Sequence, residues 1–389
     1  MKRILFVDDD SKILDGLRRS LSRDRNRWEL EFAVGGEAAL QACEKAPFDI
    51  VISDMRMPGM DGATLLGHVR ERYPQTARVV LSGYSDIPTA TRAVPVAHRF
   101  LAKPCEAAEL RSAIERVGML QDLMASPELR KVVGAIGDLP SLSRVYSSLM
   151  DAMRAAEPSI TEIAHIIEGD VPMSAKILQL ANSAFFGVAR AVTSLQSAVT
   201  YLGIDVIKNL ALAAEIFTVF QPDSRLPHIY EEVQDNAHRC AALAERMPVD
   251  LKDKDCTVIA ALLHDVGELV LAAKMPETLL QVLDLTQHRG CRQYEAEEQI
   301  LGTSHAEIGA YLLGLWGLPY LAVEAIAHHH RPTRISHQGF DISTAVYGVD
   351  VITSAKTSNG TPAPLDPADQ QCLDTLKVLD RMEEFRALC

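Results

Sequence analysis

The stretch ILFVDDD (residues 4–10) sets four apolar residues directly against three aspartates. A short apolar run of this kind suits a strand of a parallel sheet, which is covered on both faces. Four more runs follow: ELEFAV (29–34), DIVIS (49–53), ARVVL (77–81) and RFL (99–101). Amphipathic segments such as SKILDGLRRSLSR (11–23) and GEAALQACEK (36–45) lie between them and read as crossover helices. The pattern predicts an α/β, doubly wound five-stranded parallel sheet that ends near residue 118.

Ligands of such a sheet bind in the crevice outside the carboxyl ends of the strands. Asp8 and Asp9 follow the first strand, Asp54 closes the third, Ser82 follows the fourth and Lys103 lies beyond the fifth. Carboxylates gathered in one place repel each other unless a cation neutralises them. Mg2+ prefers oxygen ligands and keeps several waters, so two or three carboxylates suffice. Bound metal would draw in a phosphoryl donor and offset charge as the Asp54 carboxylate attacks phosphorus. Lys103 offers a mobile positive charge to the phosphoryl oxygens, and Ser82 offers a hydroxyl. A cis bond at the following Pro104 would aim the lysine inward. One such residue would be an ordinary turn residue; five at the right strand ends make a phosphate site.

The whole chain bounds what that site can serve. Its 389 residues exceed one ordinary core, so two or three domains are expected. Hydrophobic residues at 48% with 23% charged describe a globular chain. A net charge of -13 argues against a general nucleic-acid or anionic-membrane surface. Seven scattered cysteines without a CxxC pair read as reduced thiols. Aspartates interrupt the first apolar run too early for a signal peptide, and no uninterrupted run approaches the ~20 residues of a membrane span. A cytoplasmic protein is expected.

The motifs VDDD (7–10), DMRMPGMDG (54–62), LSGYSD (81–86) and FLAKP (100–104) resemble the receiver domain of two-component response regulators over roughly residues 1–120. By that resemblance Asp54 is the phospho-acceptor, and Asp8, Asp9 and Asp54 bind Mg2+ with the Arg56 backbone carbonyl. Ser82 and Phe100 form the switch pair, and a cognate sensor histidine kinase is the upstream partner. The stretch AVPVAH (93–98) departs by placing a proline late in the fourth helix.

Residues 106–155 are mostly helix-forming, with Leu110, Ile114, Val117 and Gln121 on one face. Ser126-Pro127 marks a restart, because proline is tolerated in a first helical turn. The reading is a receiver at 1–120, a helical connector at 121–138 and an all-α domain at 139–389.

In that last region helix follows helix. SAKILQLANSAFF (174–186) ends at Gly187, and TVIAALLHDVGELVLAA (257–273) is apolar all round, as for one buried central helix. Its His264, Asp265 and Glu268 then need partners, since an unpaired buried charge is costly. His238, His305, the run His328–His330 and Asp350 are the candidates. Imidazoles and carboxylates converging from separate helices suit one or two transition-metal ions; a metal-free hydrogen-bonded cluster is the alternative.

GDVPMSAKILQLANSAFFG (169–187), LLHDVGELVL (262–271), HAEIGAYLLGLWGLP (305–319) and AIAHHH (325–330) resemble the HDOD domain, a relative of HD-type metal-dependent phosphohydrolases. By that resemblance His238, His264, Asp265, His305, His329 and Asp350 match the metal-ligand order of the hydrolases, with His328 and His330 competing for the His329 role. Iron, manganese, zinc or nickel would be the ion. The hydrolases usually read HDxGK; here Glu268 replaces the lysine, a charge reversal that would repel phosphate. No Gly-Tyr-Pro segment follows the histidines. The resemblance therefore implies a signalling output through an unnamed protein partner, with a homodimer left open and a receiver-gated phosphohydrolase as the rival.

Overall fold

The computed structural model describes residues 1–389 apart from 83–92, 94–95, 125, 137–142, 155–157, 183–191, 205, 208–224, 227, 248–250, 338–339, 355–364 and 388–389. Pro95, residues 83–86 of the LSGYSD motif and the end of the 174–186 helix thus lie outside the described residues.

The five expected strands are present: β1 (Lys2–Asp8), β2 (Trp28–Val34), β3 (Ile50–Asp54), β4 (Ala77–Ser82) and β5 (Arg99–Ala102). They form one parallel sheet in the order β2-β1-β3-β4-β5. Helices α1 (Ser11–Ser20), α2 (Gly36–Lys45) and α3 (Gly62–Arg72) cross between strands. The aspartates of the sequence motifs divide their labour. Asp10 caps α1 by accepting from the Lys12 amide, and Asp61 caps α3 by accepting from the Thr64 amide. Each cap is worth about 1 kcal/mol, and this leaves Asp8, Asp9 and Asp54 at the strand ends.

Helix α4 (Ala107–Leu123) follows the sheet, and α5 (Pro127–Gly134) restarts at the expected place. Ser126 caps α5 and Pro127 opens it, where its missing N–H costs nothing. Beyond lie α6 (Ser143–Arg154), α7 (Ile160–Glu168), α8 (Val171–Ala181), α9 (Leu195–Leu202) and α10 (Ile229–Arg246). Then come α11 (Leu251–Leu263), α12 (Val266–Lys274), α13 (Pro276–Arg289), α14 (Gln293–Leu301) and α15 (His305–Leu315). The chain continues through α16 (Tyr320–Ala327), α17 (Ile342–Ser354), α18 (Pro367–Thr375) and α19 (Leu379–Ala387).

The single central helix expected at 257–273 is two. Helix α11 stops at Leu263 and α12 starts at Val266, with His264 and Asp265 in the break. The composition of Lys254–Lys274 would suit a membrane span, but 78% of its most apolar window is buried and the break interrupts it.

One continuous core joins the sheet to the helices. Helix α4 packs on α15, where the Leu120 side chain occupies the space a Cβ at Gly314 would need. Arg78, at the start of β4, is wholly buried and donates to the carbonyls of Val96 (2.6 Å), Thr76 (3.2 Å) and, beyond the sheet, Gly134 at the end of α5 (2.7 Å). Backbone carbonyls, not a carboxylate, satisfy this guanidinium. Burial, then Arg70, lowers its pKa to about 9.

Candidate functional site

At the carboxyl end of the sheet, Lys103 Nζ donates to Asp8 Oδ2 at 2.7 Å and to Asp54 Oδ1. Burial opposes the charge on Lys103, but the Asp54 and Asp8 hydrogen bonds outweigh it and the pKa is raised. The second oxygens are also engaged: the Arg56 amide donates to Asp54 Oδ2 at 2.8 Å, and the Asp10 amide to Asp8 Oδ1 at 3.0 Å. Asp54 and Asp8 are buried while Asp9 is exposed beside them. The Lys103–Pro104 peptide is cis. Ser82 ends β4 in register with Ala102 of β5, and the Phe100 side chain is buried. Three carboxylates and one ammonium in a crevice make a donor set of hard oxygens that fits Mg2+.

The second group forms around the break between α11 and α12. Gly267 and Gly309 let α12 and α15 cross almost backbone to backbone. A Cβ at Gly309 would sit 2.9 Å from Val266 Cγ1 and 3.0 Å from the Gly267 nitrogen. That crossing brings Asp265 to His305, whose Nε2 lies 3.5 Å from Asp265 Oδ1. His329 Nε2 is also 3.5 Å from Asp265 Oδ1, and His264 Nε2 is 3.0 Å from Asp265 Oδ2 and 3.6 Å from Asp350 Oδ1. Five of the six expected second-domain residues therefore converge.

Each inward imidazole is held by its other nitrogen. The Nδ1 groups of His264 and His329 donate to the carbonyls of Ala261 and Ile326, both at 2.8 Å, and His305 Nδ1 donates to Glu297 Oε2 at 2.7 Å. Metal-binding histidines are oriented in this way, with Nε2 left as ligand. Burial disfavours charge on His305, yet Glu297 and Asp265 outweigh it and its pKa is raised; Asp265 likewise holds the His264 pKa up against burial. His305 Nε2 can thus donate to His330 Nε2, 2.8 Å away, whose own pKa is pushed down by burial and then by His329. One atom has no such partner. His329 Nε2 is buried without a hydrogen bond among the described residues. The donor atoms of Asp265, His305, His329 and His330 all lie within 4.8 Å of one another, and so do those of Cys240, His264 and Asp350. The residues fit a transition-metal ion.

His238 is not with them. Its Nε2 donates to the Glu168 carbonyl at 2.8 Å, away from the group. Two residues along a helix turn about 200°, so the α10 residue facing the centre is Asn236, with Cys240 one turn on. Asn236 Nδ2 donates to Asp265 Oδ2 at 2.9 Å. The buried series Val233, Ala237, Cys240 and Ala244 marks the inner face of α10 and was visible in the sequence. Glu297, wholly buried on α14, carried no signal of its role. His330 belongs to the centre beside His329, whereas His328 faces a different cleft.

The centre opens into a cleft of about 800 Å3. Glu232, Glu268, Asp366 and Asp369 line it; its arginine, Arg292, is tied to Asp369 at 2.7 Å and Asp366 at 3.3 Å. Burial pushes the Glu268 carboxyl up to about 8, against the pull of His305. Gln293 donates to Glu268 at 2.9 Å.

A response regulator receiver domain model matches residues 4–115, and an HDOD domain model matches residues 139–332. This chain is a receiver–HDOD response regulator. The regulator is 25% identical over 222 residues to an uncharacterized protein of Treponema pallidum, covering 56% of this chain and 43% of that one. It is 32% identical over 148 residues to the DNA-binding transcriptional regulator NtrC of Salmonella typhimurium, covering 37% and 31%. The regulator spans less than half the length of these curated relatives. Among solved structures, the signal receiver domain of an HD domain-containing protein from Pseudomonas fluorescens Pf-5 is 34% identical, with a TM-score of 0.30, and aligns over 31% of this chain and 97% of that one.

Proposed function

We propose that the regulator receives a phosphoryl group at Asp54 and delivers the signal through the helical domain by protein interaction. Lys103 reaching both Asp54 and Asp8 is the observation that carries this reading. The ammonium that bridges two carboxylates would follow a phosphoryl oxygen once Asp54 carries an acyl phosphate. Asp8, Asp9 and Asp54, with the Arg56 carbonyl, would hold Mg2+, which would offset charge on the phosphoryl donor. Ser82 and Phe100 would register the new oxygens at the β4–β5 edge. A sensor histidine kinase is the expected donor, and the receiver's extent, 1–120 with a connector at 121–138, is part of the same proposal.

The direct contact of α4 with α15 supports transmission without a flexible tether. The test is labelling by acetyl phosphate with Mg2+. Wild-type protein takes up label and Asp54→Asn does not; uptake by the variant would sink the assignment.

The rival reading, a metallophosphohydrolase, has one observation in its favour, the unpartnered Nε2 of His329. In that reading Asp265, His305, His329 and His330 would hold an ion that polarises a phosphoester. The acidic lining of the cleft opposes an anionic substrate, so a structural or sensory ion is the better fit. Turnover of a cyclic dinucleotide, abolished by His264→Ala, would establish the rival.

A further inference from the structure

We propose that the cleft between the receiver helix α4 and helix α16 binds a small amphiphilic carboxylate, an apolar body carrying one carboxyl group. The cleft holds about 260 Å3 and draws its walls from both domains. Leu120 of α4, with Leu318, Val323 and Ala327, gives an apolar floor. Arg99, from β5, and His328, just past α16, also line it.

Two polar groups at this cleft are unsatisfied. Arg99 makes no hydrogen bond or ion pair among the described residues, and His328 Nδ1 is buried without a partner. A half-buried guanidinium without a protein acceptor is free to pair with an anionic ligand. Burial, and then Arg116, lowers the Arg99 pKa to about 10, so it stays charged. His328 Nδ1 adds a ring nitrogen that can donate to the same ligand. A planar guanidinium fork and an imidazole N–H match a carboxylate. A phosphate dianion is less well matched, because Glu324 also lines the cleft and the second arginine, Arg116, is exposed. Met119 and Tyr320, 64% and 53% exposed, line its open side. The volume suits a ligand of about ten heavy atoms, somewhat below a drug-sized pocket.

The probe is 3-phenylpropionate, titrated calorimetrically into the full-length chain, with 3-phenylpropan-1-ol and inorganic phosphate as comparison probes. Saturable binding of the carboxylate is expected, weakened at least about tenfold in the alcohol or in Arg99→Gln, which corresponds to about 1.4 kcal/mol. Ala327→Phe fills the floor while leaving Arg99 intact, and it should abolish binding in protein whose thermal melt remains cooperative. The proposal is overturned if the carboxylate does not saturate, if both variants bind it as the wild type does, or if phosphate binds as well as the carboxylate does.

Discussion

Arg78 and Gly134 are joined by a 2.7 Å hydrogen bond that fastens the end of α5 to the buried start of β4 in the parallel sheet. The same guanidinium also reaches Val96, Pro74 and Thr76 carbonyls. Arg78→Lys keeps the charge but cannot satisfy all four. The variant should unfold at lower urea concentration, with a loss of about 1–3 kcal/mol for each carbonyl left bare. Hydrogen exchange should quicken across residues 127–134; an unchanged midpoint would show that the bond contributes nothing.

His98 makes the same junction sensitive to acid. Its Nδ1 accepts from the Arg78 amide at 3.2 Å and its Nε2 donates to the Gly134 carbonyl at 3.0 Å. Burial, then Arg78 and Lys176, depress its pKa well below 6.5, with only the Gly134 bond opposing. The folded state therefore holds the neutral ring, while the unfolded chain binds a proton below its ordinary pKa. Stability is full above about pH 6.5 and falls by up to about 1.4 kcal/mol per pH unit beneath it. Chemical denaturation between pH 7 and 5 should show a shallower slope in His98→Gln than in wild type.

Leu120 of α4 and Gly314 of α15 are in contact where the two helices pack. Gly314→Ala should cost about 1–3 kcal/mol by overpacking. Leu120→Ala combined with it should cost less than the two single changes summed, because the smaller side chain vacates the space. Strict additivity in a double-mutant cycle would place the two residues out of contact.

The unpartnered His329 Nε2 predicts metal uptake. Dialysis of metal-stripped protein against Mn2+, Fe2+, Zn2+ or Ni2+ should raise the melting temperature, by about 2.7 kcal/mol of linkage at one hundred times Kd. His329→Gln should remove that gain, and His238→Gln should leave it intact. A gain lost equally in both variants would return His238 to the ligand set.

The sheet was legible because its strands are apolar runs ending in charged residues, and a run such as ILFV has few other homes. The helical centre was legible residue by residue but not in its geometry. His264-Asp265 interrupts a helix that periodicity alone runs straight through, since the residues on either side are equally apolar. Chemistry and the family resemblance both favour His238, whereas the α10 face is decided by packing, which turns Asn236 inward instead. Nothing in the sequence sets Gly267 and Gly309 apart from other glycines; only the crossing shows why a side chain at either would separate the helices. Arg78 sat unremarked inside a strand because its acceptors are carbonyls, which every residue possesses.

Helix α15 begins at His305, in the histidine centre, and its last turn holds Gly314 against Leu120 of α4. Both ends of these eleven residues are thus spoken for. One added residue would lengthen the helix by about 1.5 Å and turn one end about 100° from its partner. The eleven-residue length of α15 therefore ties the place of the histidine centre to that of the α4 contact. It is the measuring rod by which the two domains know where the other ends.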